Sequence, residues 1–325
     1  MLRSIPRFGE HLTEAERQLE EDSMHLSMSQ KIEVVSVLWR MSRPTHLLLI
    51  AFVYALGATM AVAQGEAFDA ELLLFGLLVL MLMSVSVHYA NEYADYETDA
   101  ITQRTLFSGG SGALPGSSLP RHLALRAAWV GLLTGSVLAL IGWSLGSLNI
   151  TALFVLAIGT FLGWMYSLPP LAMAWKGWGE LDNAVAGGMA LPLFGFAVLA
   201  GPIDFPVAAA CAPFVALVFL NLLATTWPDR KADASVGKRM LATRWLPLRL
   251  RRVYWAVAAL FFLMFPLLVG WSLPPRVAWS GYLVAPLVIL GGLFYTRVRT
   301  PFPSVAAMVV MAIVQFVAWL SLVSV

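Results

Sequence analysis

The chain has 325 residues, 59% of them hydrophobic and only 12% charged, with a mean hydropathy of +0.76. Soluble domains carry about a quarter charged residues, so this composition excludes an ordinary water-soluble fold and places the chain in a lipid bilayer. The net charge of +2 is too small to mark a nucleic-acid binder, and the single cysteine, Cys211, excludes an intrachain disulfide framework.

In chain order, residues 10–22, EHLTEAERQLEED, read as a short surface helix within a polar tail over 1–40, with no cleavable signal peptide. Residues 41–325 read as a single all-α membrane domain. Crossing the hydrocarbon core takes about 20 apolar residues, and nine stretches meet that need; the first two cover 45–64 and 71–90. Directly after the second comes NEYADYETD (91–99), which spaces Asn91, Asp95 and Asp99 four apart. Each step rotates the helix by only about 40°, so the three side chains form one stripe of oxygens. The Gly/Ser/Pro-rich segment 108–120 reads as a mobile loop. Spans 123–142 and 149–167 lead to YSLPPLAMAWKGWGE (166–180), and spans 181–200 and 206–226 follow. After the sixth span, PDRKADASVGKR (228–239) places Asp229 and Asp233 at the same spacing, 134 residues beyond Asp95 and Asp99. That offset is consistent with a repeated four-span unit. Spans 253–271, 277–296 and 303–323 complete the nine.

Nineteen of the 21 Lys and Arg residues fall in the N-terminal tail or in the loops after the second, fourth, sixth and eighth spans, Arg126 lies just inside the third span at the same end, and only Arg276 lies opposite. The positive-inside rule therefore puts the N-terminus and both acidic loops in the cytoplasm. A carboxylate at the bilayer centre costs about 2.5–3.5 kcal/mol, whereas at a helix end facing a hydrated cavity it is tolerable. Paired hard oxygens suit Mg²⁺, which is usually held by one or two carboxylates plus substrate phosphate oxygens. Two such pairs suit two ions clamping a diphosphate. The plainer alternative is that these acids are merely solvated or pair with Arg230 and Lys231. No phosphate loop is assembled by GSGALPG and VGKRM, and His11, His25, His46, His88 and His122 show no paired ligand spacing. His88, three residues before Asn91, reads as a packed or hydrogen-bonded helix histidine.

N-x3-D-x3-D after the second span, with D-x3-D after the sixth, resembles the UbiA superfamily of intramembrane prenyltransferases. The resemblance runs from about residue 38 onward. RTLFSGGSGALP (104–115) and the GKR of 237–239 look most like its 1,4-dihydroxy-2-naphthoate polyprenyltransferases of menaquinone synthesis, while SRPTHLLL (42–49) fits the usual opening of the first span. The chain departs from that pattern at Thr225 or Thr226, near which Asn is common, and at Met240, where Thr is common. The resemblance implies nine helices around a central cavity open to the cytoplasmic loops. A prenyl diphosphate would bind there on two Mg²⁺ ions held by Asn91, Asp95, Asp99, Asp229 and Asp233. Arg104, Lys176, Lys238 and Arg239 could assist with the diphosphate, although for any one of them a topology signal is the plainer reading. Tyr166 would stand in the cavity, whose aromatic lining would protect an allylic carbocation until an aromatic acceptor attacks. For dihydroxynaphthoate the carboxyl group would leave as CO₂ and a proton, giving a demethylmenaquinol-type lipid.

Alternative acceptors are a 4-hydroxybenzoate, a chlorophyllide, a haem or a glyceryl phosphate. Outside the enzyme class stand a transporter and a membrane scaffold. A transporter should hold its charges near the midplane, whereas these sit at helix ends; a scaffold would not need two matched acidic motifs. Oligomeric state is not legible in the sequence.

Overall fold

The computed structural model describes residues 28–105, 107 and 109–323, and the helix expected over 10–22 lies outside them. Among the described residues the long elements are all helical, and nine helices are long and apolar enough to span a membrane. They are α1 (Pro44–Ala63), α2 (Ala70–Ala94), α3 (His122–Ser144), α4 (Ile150–Ser167), α5 (Gly179–Ala200), α6 (Phe205–Thr226), α7 (Pro247–Leu268), α8 (Pro275–Phe294) and α9 (Phe302–Leu320).

The helix starts follow local chemistry. A first turn leaves backbone N–H groups without partners, and at three starts a short side chain accepts them. Asp69 caps α2 at Glu71 N and Leu72 N, Asn149 caps α4 at Ala152 N, and Asp204 caps α6 at Val207 N. Elsewhere proline opens the helix, where its missing N–H costs nothing: Pro44 in α1, Pro247 in α7 and Pro275 in α8.

Three boundaries differ instructively from the sequence reading. α2 runs on to Ala94, so Asn91 lies within its last turn; the helix breaks at Asp95 and resumes over Tyr96–Ile101. α7 begins at Pro247 rather than 253 because Arg249, Arg251 and Arg252 ride on its first turns with their charged heads drawn outward. Arg249 lies over the Trp245 ring at 4.1 Å, and Arg251 donates to Thr296 Oγ1. A further helix, Met28–Met41, occupies part of the expected tail, burying Val37 and Met41 while exposing Ile32, Val35 and Trp39.

Hydrocarbon gives helices little hydrophobic reason to associate, so close packing and buried hydrogen bonds hold the bundle. α1 and α5 touch backbone to backbone: a Cβ at Gly57 would overlap the Pro192 carbonyl, and one at Gly195 would overlap that of Tyr54. Ser86 of α2 donates to the Ala128 carbonyl of α3 and accepts from Trp164 Nε1 of α4. In α9, buried Gln315 donates to Val277 O and Ser280 Oγ of α8. Replacing Gly195 with valine should therefore cost about 2 kcal/mol or more, read as a lower unfolding temperature in detergent. An unchanged transition would show that the helices do not approach so closely.

Candidate active site

A cavity of about 710 Å³ opens where α2 and α6 end. Its mouth carries Arg43, Asn91, Asp95, Asp99, Asp229, Asp233 and Lys238, and its depth is lined by apolar side chains such as Leu49, Val53, Leu80, Val155 and Leu156. The two acidic motifs, remote in sequence, thus face one space. Tyr166 is on the wall with Phe194 and Phe214. Aromatics are a minority of that lining, which is mostly aliphatic or small.

Hydrogen bonds tie the motifs together. Lys238 Nζ donates to Asp95 Oδ2 at 2.8 Å and lies 3.9 Å from Asp233 Oδ1. Asn91 Nδ2 donates to the same Asp95 oxygen and to Ser167 Oγ, while its own Oδ1 accepts from Arg43 Nη2 at 2.8 Å. Asn91 thus orients Asp95, and its oxygen is already engaged. Arg43, with left-handed backbone at the entry to α1, also donates through Nε and Nη2 to Glu92 Oε1. Glu92, fully buried, accepts in turn from the backbone N–H and hydroxyl of Ser111. On the other side of the mouth, Gly109 N donates to Asp229 Oδ2. The glycine-rich segment is therefore fastened to both motifs. Gly110, at a φ of 62°, passes so close to Asp99 that a Cβ there would overlap the carboxylate.

Charge at the mouth is unbalanced. Three cations on the cavity lining, Arg40, Arg43 and Lys238, stand with four carboxylates of the mouth, Asp95, Asp99, Asp229 and Asp233, and with Glu92 behind them, paired to Arg43. Burial, with the negative charges of Asp95 and Glu92, raises the Asp99 carboxyl to about 7. Burial likewise raises Asp233 to about 7 against the pull of Lys238. Burial disfavours the Lys238 ammonium, yet Asp95, Tyr166 and Asp233 outweigh it and hold its pKa above the usual lysine range.

Among the described residues no three His, Cys, Asp or Glu side chains converge into a ready metal cage. The donor set nonetheless fits hard divalent ions that take part of their coordination from a bound phosphate. Asp99 Oδ2 is buried without a hydrogen-bond partner, and the surplus negative charge calls for cations.

The other predicted cations lie off the cavity wall. Arg104 is exposed and donates to Ser111 O and Asp99 O, bracing the glycine-rich segment from outside. Lys176 donates to Pro170 O, and Arg239 is exposed beside Lys238 in sequence. His88 lines the cavity and donates from Nδ1 to Ser42 O at 2.7 Å, the hydrogen-bonded helix histidine expected. Sequence reasoning passed over Arg43, whose charge counted only toward orientation, and Glu92, which adjoins the stripe without belonging to its spacing. It also passed over Asp182 and Asn221, both on the cavity wall; Asp182 carried a signal, being a carboxylate inside an apolar span. Asn221 lies one turn before Thr225, where the family pattern pointed.

Comparison with known proteins bears on the family and the fold. A sequence profile of the UbiA prenyltransferase family matches residues 49–313. The 1,4-dihydroxy-2-naphthoate octaprenyltransferase of Bacillus subtilis (strain 168) is 26% identical over 218 residues, 66% of this chain and 67% of that protein. A UbiA homolog from Archaeoglobus fulgidus, solved bound to GPP and Mg²⁺, has a TM-score of 0.65 at 16% identity, covering 89% of this chain and 100% of that one. A structure reported for digeranylgeranylglyceryl phosphate synthase has a TM-score of 0.64 at 15% identity, with 90% and 100% covered. At such identities the two structures speak to the fold.

Glu92→Gln should leave the Arg43 guanidinium short of its charge partner and loosen Ser111. Breaking one side of such a pair costs about 3 kcal/mol, so a lower unfolding temperature and faster proteolysis within 104–120 are expected. Wild-type protease resistance would show that Glu92 does not hold the segment.

Proposed function

The chain belongs to the UbiA prenyltransferase family, and on that premise we propose that it moves a polyprenyl group from an allylic diphosphate to 1,4-dihydroxy-2-naphthoate, for menaquinone biosynthesis. The observation that carries the reading is the meeting of both acidic motifs and Lys238 at the charged mouth of an otherwise apolar cavity. Support for this acceptor comes from the naphthoate-prenylating relative and from the SGGSG and GKR segments. The distribution of Lys and Arg supports a cytoplasmic mouth, and the membrane in this reading is a prokaryotic plasma membrane.

Each residue has a part that follows from its place. Asp95, Asp99, Asp229 and Asp233 would hold two Mg²⁺ ions, whose charge stabilises the departing diphosphate. Lys238, kept cationic by the carboxylates around it, offers Nζ to diphosphate oxygens, and Arg43 adds a second positive charge. Asn91 fixes the Asp95 carboxylate, so its replacement acts through Asp95. The aliphatic depth takes the prenyl chain and excludes water from the allylic centre. Tyr166, Phe194 and Phe214 line the cavity, where an aromatic ring face would stabilise positive charge. The C1–O bond breaks with its electron pair leaving on diphosphate, the ring carbon that bears the carboxylate bonds to C1, and the carboxylate leaves as CO₂, its bonding pair restoring the aromatic ring.

The test is transfer by purified protein in nanodiscs with Mg²⁺ and geranylgeranyl diphosphate, given dihydroxynaphthoate, 4-hydroxybenzoate or chlorophyllide separately and read by mass spectrometry. A prenylated naphthoquinone is expected from the first alone; prenylation of another acceptor instead would overturn the naphthoate assignment. EDTA should abolish the reaction and Mg²⁺ restore it. Asp95→Ala and Asp233→Ala should each slow it on the order of a thousandfold in protein that still folds, Asp95→Ala with a lowered unfolding temperature because it strands buried Lys238; near-normal turnover in either would remove that motif from the site.

A further inference from the structure

Asp182 stands apart from the charged mouth. It lies in the first turn of α5, is 5% exposed, and neither carboxylate oxygen has a hydrogen-bond partner. None of the four ion pairs among the described residues includes it. Asn221 of α6, 8% exposed, likewise holds its Oδ1 buried and unpartnered. The two helices pack together, and both side chains line the cavity. Leaving such groups unsatisfied in an apolar setting is costly, and a carboxylate most of all. Natural structures keep an arrangement of this kind where a ligand completes it.

There is room for one. About one turn after Asp182, the segment Ala186–Ala190 winds as a π-helix, a form common at functional sites. At Gly187, on the cavity wall, an added Cβ would find its nearest neighbours 3.7 Å away at Val218 and 3.9 Å away at Asn183 Oδ1. An added Cβ would thus meet only ordinary van der Waals contact, and the space for a ligand is the cavity of about 710 Å³ that both Asp182 and Asn221 line.

We propose that Asp182 and Asn221 form the seat for the hydroxyl groups of the aromatic acceptor. The unpartnered atoms all accept hydrogen bonds, so the ligand must bring donors, and a phenolic or quinol hydroxyl does so. An anionic carboxylate would be repelled by Asp182, so the acceptor is held by its hydroxyl end with any carboxylate turned away. The seat rests on the aromatic-acceptor reading above and adds a specificity-determining pair to it.

Two measurements test it together. The first compares binding of 1-naphthol and 1-methoxynaphthalene to the full-length protein, by quenching of tryptophan fluorescence, in wild type, Asp182→Leu and Asp182→Asn. The second measures KM separately for the acceptor and the prenyl diphosphate. Losing a buried charged acceptor should weaken naphthol binding and raise the acceptor KM about tenfold or more in Asp182→Leu. The prenyl diphosphate KM should stay within about twofold, Asp182→Asn should fall between, and methoxynaphthalene should not distinguish the three proteins. Unchanged naphthol binding, or equal rises in both KM values, would overturn the seat. The two readings fail separately. Naphthol binding that depends on Asp182 in a protein that prenylates no aromatic acceptor keeps the hydroxyl site and removes the acceptor reading. Aromatic prenylation with a wild-type acceptor KM in Asp182→Leu does the reverse. Should the leucine variant not fold, the asparagine variant with the methoxy comparison decides.

Discussion

The ion pair between Lys238 and Asp95 joins positions 143 residues apart at 2.8 Å, and the architecture of the site depends on it. Carboxylates gathered at the edge of a low-dielectric space repel one another and lose hydration together. A cation buried among them relieves part of that cost and fixes where they stand. Asp95 also receives Asn91, and Asn91 receives Arg43, so one network runs from the entry of α1 through the end of α2 to the loop after α6. Glu92 extends it to the glycine-rich segment through Ser111.

Polarity then falls steeply along the cavity. The mouth holds nearly all the charge, and the interior below it is aliphatic and small. Such a gradient suits an amphiphile with a highly charged head and a hydrocarbon tail, since each part finds its own surroundings. Asp182 and Asn221 break the gradient on one wall only, which gives the interior a side with hydrogen-bonding character.

Much of this was legible in the sequence because it rested on strong periodic signals. Nine apolar runs, split by charged or Pro/Gly punctuation, correspond to the nine long helices, and the four-residue spacing of Asn91, Asp95 and Asp99 put one face of a helix in view. Less legible was whatever depends on side chains meeting across helices. Arg249, Arg251 and Arg252 looked like loop because an arginine at a membrane edge keeps its stem in the helix and its charge outside it. Arg104 and Arg239 are near the motifs in sequence yet lie off the cavity wall, as does Lys176 between the two motifs, whereas Arg43, 48 residues before Asn91, is on it. A count of charges by loop cannot separate these cases. The distinction needs the packing of α1 against α5 and the turn that Arg43 makes before α1.

The distance in sequence between the two acidic motifs has a further meaning for how the protein is made. A chain threaded into the bilayer from its N-terminus delivers Asn91, Asp95 and Asp99 well before Asp229, Asp233 and Lys238 emerge. Until then the first motif lacks Lys238, the cation that engages Asp95 in the finished fold. Completion of the mouth is thus a late event of biogenesis, which ties the appearance of a competent site to insertion of the sixth helix and the loop beyond it.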